Sequence, residues 1–258
     1  MRSNSDTVTP SRGSDRTLVI MAKAPRPGAV KTRLTPSLSP EAVTAFYCCL
    51  LYDTVALARS LDNVEVAIMC PEADVTDLAR LAGAQLTNND VSVVAQKGQG
   101  LAAGLTSVFA YFAETNRRVI AFNSDSPHLP RSVLENAFET LAAHDVVVGP
   151  THDGGYYLVG ARASHPTLFA NDGMGTSSAL ERLLSRARAF GLSVGFADRF
   201  YDIDIAEDLS RLAAELRLDP ERAPRTAAWL RDWEAAEHSR TGAETSARKD
   251  FRTGSGEL

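Results

Sequence analysis

Thr17-Leu18-Val19-Ile20-Met21-Ala22-Lys23-Ala24-Pro25-Arg26-Pro27-Gly28-Ala29-Val30-Lys31-Thr32-Arg33-Leu34 is the stretch from which the fold can be read. Its opening residues, Thr17–Lys23, form a short apolar run without polar alternation, the pattern of a strand buried on both faces. A loop follows at once. It carries the cations Lys23, Arg26, Lys31 and Arg33, is stiffened by Pro25 and Pro27, and is opened by Gly28. Buried parallel strands of this kind belong to sheets whose ligands lie beyond the carboxyl ends of the strands, so the loop is placed where a ligand would be met.

Outward from this stretch, helix-like and strand-like runs alternate. Ser39-Pro40-Glu41 reads as an N-cap followed by proline at the first helical position, opening a helix to about residue 59. Asn63–Cys70 and Ser92–Gln96 read as strands. Leu101, Leu105, Val108, Phe109 and Phe112 recur at helical spacing, which predicts an amphipathic helix over Leu101–Glu114. Further strands are expected at Arg117–Asn123, Asp145–Pro150, Tyr156–Arg162 and around Ser193–Arg199. Helices are expected at Pro130–Ala143 and Ser177–Phe190, with two more after Ile205. This order predicts one α/β domain over residues 16–238, with a mostly parallel, mixed central sheet and helices on both faces.

Composition limits what such a domain does. The 258 residues are 44% hydrophobic and 23% charged, with a net charge of −5, which excludes wholesale disorder and argues against a general nucleic-acid or anionic-membrane binder. Residues 1–15 lack the apolar core of a secretory signal, and they and 239–258 read as polar, disordered tails. No run of about 20 apolar residues stands out as a spanning segment. The 3 cysteines, Cys48, Cys49 and Cys70, have neither metal-knuckle nor disulfide-framework spacing, and the expected location is the cytoplasm. Trp229 and Trp233, four apart, read as a helix packing on the core.

Four loops that follow strands carry the chemistry. In the first, Lys31 and Arg33 are suited to phosphate, Lys as a point charge and Arg as a fork, with Lys23 and Gly28 beside the ligand. Its spacing is neither a Walker A loop nor a dinucleotide fingerprint. The second is Asn123-Ser124-Asp125-Ser126-Pro127, in which Asp125 follows the strand and could hold a divalent cation, although the same residues also read as a plain turn. The third, Thr151-His152-Asp153-Gly154-Gly155-Tyr156-Tyr157, reads either as a hairpin or as a surface for a sugar or base. The fourth is Tyr201-Asp202-Ile203-Asp204. In an extended chain Asp202 and Asp204 share one face, and two such carboxylates repel unless a cation lies between them. That spacing, with Asp125, points to a Mg²⁺ or Mn²⁺ site.

Taken together, the loops resemble the nucleotide-diphospho-sugar transferase superfamily, the type A glycosyltransferase fold shared with sugar and alcohol nucleotidyltransferases. A more specific likeness is to the bacterial radical-SAM/selenodomain-associated transferases, also labelled arsenosugar-biosynthesis glycosyltransferases. Their hallmarks K-x-P-x-P-G-x-V-K-T-R-L, S-D-x-P-x-L, D-G-G-Y-Y-L-x-G and D-I-D-x-x-x-D-L stand here in order, between about Thr17 and Leu216. The resemblance implies that Lys31 and Arg33 hold phosphates and that Asp125, Asp202 and Asp204 form the magnesium site. It also implies that the Gln96-Lys97-Gly98-Gln99-Gly100 loop reads the nucleobase, and that the segment Asn171–Ser177 meets the acceptor. Where relatives have G-x-L-G-E-R, this chain has Gly100-Leu101-Ala102-Ala103-Gly104, which leaves base and acceptor specificity open.

Two reactions suit these residues. Nucleotidyl transfer from an NTP to a small phosphorylated acceptor needs cations and a metal on the phosphates but little base catalysis, because the nucleophile is already ionised. Glycosyl transfer from a nucleotide-sugar needs a base near the acceptor hydroxyl, for which Asp153 and His152 are the candidates. The cationic loop favours the first. A non-catalytic nucleotide-binding domain is the third expectation, and clustered acids speak against it. Replacing Lys31 or Arg33 is expected to weaken triphosphate binding and leave thermal stability almost unchanged.

Overall fold

The computed structural model describes residues 14–85, 91–113, 117–170 and 177–236. Most of both expected tails, Glu114 and the segment 171–176 lie outside the described residues. Seven strands form one sheet: β1 (Arg16–Met21), β2 (Glu65–Cys70), β3 (Val91–Ala95), β4 (Arg118–Asn123), β5 (Val146–Pro150), β6 (Tyr156–Ala161) and β7 (Val194–Phe196). Their order is β3-β2-β1-β4-β6-β5-β7. The pairs β1–β2, β2–β3, β1–β4 and β5–β7 are parallel, and β6 runs against both of its neighbours. The helices are α1 (Pro40–Arg59), α2 (Val75–Gln85), α3 (Gly100–Phe112), α4 (Arg131–Ala143), α5 (Ala179–Ala189), α6 (Ala206–Leu218) and α7 (residues 224–236).

Contacts divide the chain into two compact units, each discontinuous in sequence. Of the described residues, one unit takes those up to Ala24 and those within Val55–Ser124 and Leu129–Asp202; the other takes those within Pro25–Thr54 and Asp125–His128 and those from Ile203 onward.

The first unit holds the whole sheet. Leu18, Val19 and Ile20 are all fully buried, which is why β1 shows no alternation. On one face Val19, Ala67, Met69, Val119, Ala121 and Val159 pack with Leu105, Val108 and Phe109 of α3 and Leu183 and Ala187 of α5. On the other, α4 approaches so closely that a side chain at Gly160 would meet Leu141, Val147 and Ile120 at 3.0 Å or less. Helices therefore cover both faces. The element missing from the sequence reading is α2. Only Leu78 of it is fully buried among the described side chains, so its apolar stripe is too narrow to announce a helix.

The second unit is helical. Ser39 caps α1 through its Oγ, which accepts the Ala42 amide at 3.2 Å, and Pro40 takes the first helical position as read. Val43, Phe46 and Leu50 bury the helix. Trp229 of α7 packs on Phe46 with ring centroids 4.8 Å apart, and Trp233 stacks on Trp229. Asp53 of α1 supplies the cap that Ala223 cannot give α7: its carboxylate accepts the Thr226 amide and hydroxyl, both at 2.8 Å. One expectation needs correction here. By length and composition α1 could cross a membrane, with a window of mean hydropathy 1.3. Half of that window is buried in the fold and it contains the buried Asp53, the arrangement of a core helix.

Candidate active site

In the helical unit the loop after Pro25 turns at Gly28 (φ 74°) and ends in a short 3₁₀ turn, Thr32–Leu34, anchored by the fully buried Leu34. Lys31 opens that turn in the left-handed backbone region (φ 45°, ψ 40°), and its carbonyl accepts the Leu34 amide at 2.9 Å. A non-glycine residue in this region carries strain of about 1–3 kcal/mol, of the kind concentrated at functional sites. The conformation coincides with the burial of the Lys31 ammonium between two carboxylates. Its Nζ pairs with Asp125 Oδ2 and donates to Asp204 Oδ1 at 2.9 Å. Arg33 Nη1 donates to the other Asp204 oxygen, Oδ2, at 3.1 Å. The side chains of Lys31 and Asp125 are 7% and 18% exposed, whereas Arg33 is 65% exposed. Burial alone would push the ammonium down, but Asp125 and Asp204 outweigh it and hold Lys31 well above its ordinary value.

Asp204 sits on a rigid mount. Its amide and that of Ile205 both donate to Asp208 Oδ2, at 2.8 and 2.9 Å, at the start of α6, and the preceding Ile203 is fully buried. Asp208 therefore serves the helix N-terminus, as its place in the first turn suggests. The structure thus brings together Lys31, Arg33, Asp125 and Asp204.

Of the three acids expected to form a metal site, Asp125 and Asp204 stand in the helical unit and Asp202 in the sheet unit. Among the described residues no group of three or more His, Cys, Asp or Glu stands close enough to hold a metal. Asp202 accepts a hydrogen bond from Asn123 Nδ2 at 3.2 Å, and the cation between Asp125 and Asp204 is Lys31. Asp125 nevertheless fits a divalent cation. Its Oδ1 is buried and accepts no hydrogen bond among the described residues, so a hard oxygen donor stands ready beside the two phosphate-type cations.

The remaining candidates lie in the sheet unit. Lys23 is exposed just beyond β1, and the next amide, Ala24, donates to the buried Asp74 at 3.0 Å. Asp74 braces the start of the cationic loop and was missed in the sequence, where an acid just before a helix reads as a cap. Gln96 turns its side-chain amide back to donate to the Gly98 and Gly100 carbonyls at 3.0 and 3.3 Å, which braces its loop. Ser107 of α3 ties the same loop by accepting the Lys97 amide at 2.8 Å. The signal for Ser107 was legible, a polar residue on the apolar face of a helix.

The Asp-Gly-Gly turn is the β5–β6 hairpin. Asp153 Oδ1 accepts the Thr151 hydroxyl at 2.6 Å and the Gly155 amide at 3.1 Å, so it locks the turn, and His152 is exposed beside it. Gly154 has φ 89°, and a Cβ there would lie 2.0 Å from the Ser177 carbonyl oxygen. The glycine admits protein backbone, and the Leu180 amide donates to the Gly154 carbonyl at 3.1 Å. Tyr156 is half-buried against the core, and burial pushes its phenol up.

Residues 54–176 match the model of a bacterial family, DUF2064, described as an uncharacterized protein conserved in bacteria. No curated protein matches the sequence. Among solved structures, the chain is similar to a candidate nucleotide-diphospho-sugar transferase from Desulfovibrio desulfuricans G20, at 26% identity and TM-score 0.76, over 86% of this chain and 96% of that one. Two more distant likenesses concern the fold alone. The inositol-1-phosphate CTP transferase from T. maritima is 16% identical, with a TM-score of 0.53 over 80% of this chain and 96% of that one. The 4-diphosphocytidyl-2C-methyl-D-erythritol synthase from Anaerococcus prevotii DSM 20548 is 11% identical, with a TM-score of 0.50 over 79% of this chain and 100% of that one.

Proposed function

We propose that this chain, which belongs to the nucleotide-diphospho-sugar transferase superfamily by its fold and by its likeness to the Desulfovibrio protein, is a divalent-metal-dependent nucleotidyltransferase. It would join the NMP of an NTP to a phosphorylated sugar or other small phosphorylated acceptor and release pyrophosphate. The observation that carries this reading is the convergence of Lys31 and Arg33, two phosphate-type cations, with Asp125 and Asp204.

In the reaction an acceptor phosphate oxygen attacks the α-phosphorus, the α–β bridging P–O bond breaks, and pyrophosphate leaves. Lys31 and Arg33 would bind the β- and γ-phosphates and take up the negative charge that grows on the leaving group. Asp125, through its open Oδ1, and Asp204 would hold Mg²⁺ or Mn²⁺, which when bound neutralises phosphate charge. The nucleophile arrives ionised, so no side chain has to remove its proton. This agrees with Asp153 being engaged within its turn. The glycosyl-transfer alternative draws on the name of the Desulfovibrio protein and on His152, the exposed candidate base of this turn.

The test is pyrophosphate release with each common NTP and a panel of sugar phosphates in Mg²⁺, followed by phosphorus NMR of the product. Pyrophosphate formation that depends on both substrates and is lost in Lys31→Ala and Arg33→Ala is expected. Nucleoside diphosphate release from a nucleotide-sugar, with no pyrophosphate from any NTP, would overturn the reading.

A further inference from the structure

We infer that Asp204 acts as a built-in stand-in for a phosphate group and thereby makes the site selective for polyphosphate that arrives complexed to a divalent cation. The inference rests on the phosphate-binding role proposed for Lys31 and Arg33. One Asp204 carboxylate spans both cations, with one oxygen on Lys31 Nζ at 2.9 Å and the other on Arg33 Nη1 at 3.1 Å. Two anionic oxygens shared between an ammonium and a guanidinium is the donor pattern that two phosphate oxygens would receive. The stand-in does not drift with the loop, because the Asp208 carboxylate pins its backbone and Ile203 anchors the chain before it.

A phosphate that takes over Lys31 and Arg33 must displace this carboxylate. Metal-free phosphate would leave Asp204, only 35% exposed, facing the incoming anion without a counter-charge. Polyphosphate that brings a divalent cation supplies that counter-charge in the same step, since the displaced carboxylate is a hard oxygen donor. Metal and phosphate binding are therefore coupled through Asp204, and by linkage each strengthens the other. Asp125 cannot play this part, because its Oδ2 faces Lys31 alone and Arg33 has its bond to Asp204.

The experiment is calorimetric titration of the full chain with inorganic tripolyphosphate, in EDTA and in Mg²⁺, for wild type, Asp204→Asn, Asp204→Ser and the Lys31→Ala/Arg33→Ala double variant. Wild type is expected to bind much more tightly with Mg²⁺. In both Asp204 variants the metal-free affinity should rise by about tenfold, the equivalent of one released charge pair, and the effect of Mg²⁺ should shrink. Melting curves identify any variant that fails to fold, and the serine variant stands in for the asparagine one in that case. Metal-free affinity in the folded Asp204 variants that equals or falls below wild type would overturn the inference and leave the phosphate reading intact. Wild-type affinity in the double variant, or no binding by any protein, would remove the phosphate reading and the inference with it.

Discussion

Replacing Lys31 with methionine keeps the length of the side chain and removes its charge, and the structure makes this a stability experiment as well as a functional one. The ammonium is 7% exposed and is the counter-charge for Asp125, which is 18% exposed; Asp204 retains Arg33. Removing one partner of a buried pair costs about 3–5 kcal/mol. Solvent screening at Asp204 and the surviving Arg33 contact lower that to about 2–4 kcal/mol. The left-handed backbone strain is common to lysine and methionine and cancels. For a chain of this size the loss corresponds to a fall in Tm of about 5–12 °C. Because the two carboxylates raise the Lys31 pKa, the contribution is fully present below the unfolded value of about 10.4 and is lost only as pH rises through the higher folded one. Calorimetric melting near neutral pH therefore reads all of it. Arg33→Met, at a side chain 65% exposed, is the comparison and should move stability by less than about 1 kcal/mol. Adding Asp125→Asn to Lys31→Met should recover part of the loss, since no uncompensated charge is then buried. A Lys31→Met melting temperature within about 2 °C of wild type would refute the burial and pairing on which the reasoning stands. The predicted loss departs from the expectation of unchanged stability, which treats Lys31 as a solvated loop residue.

Gly154→Ala should destabilise the sheet unit by at least about 1–3 kcal/mol from backbone strain alone, because φ is 89° and the new Cβ would strike the Ser177 carbonyl; an unchanged urea midpoint would contradict it. Asp53→Ala should cost about 1–3 kcal/mol, because the buried Thr226 amide and hydroxyl, which both donate to one oxygen of this carboxylate, lose their acceptor; equal melting temperatures would show that the cap does not matter. The Ser193 hydroxyl and amide, which both donate to Asp145 Oδ2, hold that carboxyl below its ordinary value. Asp145 therefore contributes stability above its unfolded pKa and loses it as pH falls through the folded one. The stability gap between wild type and Asp145→Asn should narrow from about pH 6 to about pH 3, and a constant gap would show that the hydrogen bonds to Ser193 do not discriminate the charged form.

The fold was legible because its signals are local. Leu18, Val19 and Ile20 announce a strand buried on both faces, and Ser39-Pro40 announces a helix start, whatever packs around them. What escaped was weakly patterned or non-local. Helix α2 buries too little to show a stripe. The α1 helix reads differently once Asp53, a lone acid in an apolar run, is seen to cap a helix that begins at residue 224.

The candidate site divides along the same line. The sequence reading held that paired acids near a strand end demand a cation, and the physics of that step stands. Spacing along a strand says which side chains share a face. It says nothing of which charge from elsewhere in the chain comes to lie between them. For Asp125 and Asp204 that charge is Lys31, placed by its own left-handed backbone and by a buried leucine, Leu34, at the end of the cationic loop. Gln96 and Asp153, polar residues in glycine-rich loops, both hydrogen-bond within their own turns. A loop that must present backbone to a ligand needs polar side chains to hold its shape, so residues of both kinds occur together. The pairing of Lys31 and Arg33 with Asp204 carries the consequence: cations and carboxylates that each suit one half of a metal–polyphosphate complex neutralise one another until that complex arrives.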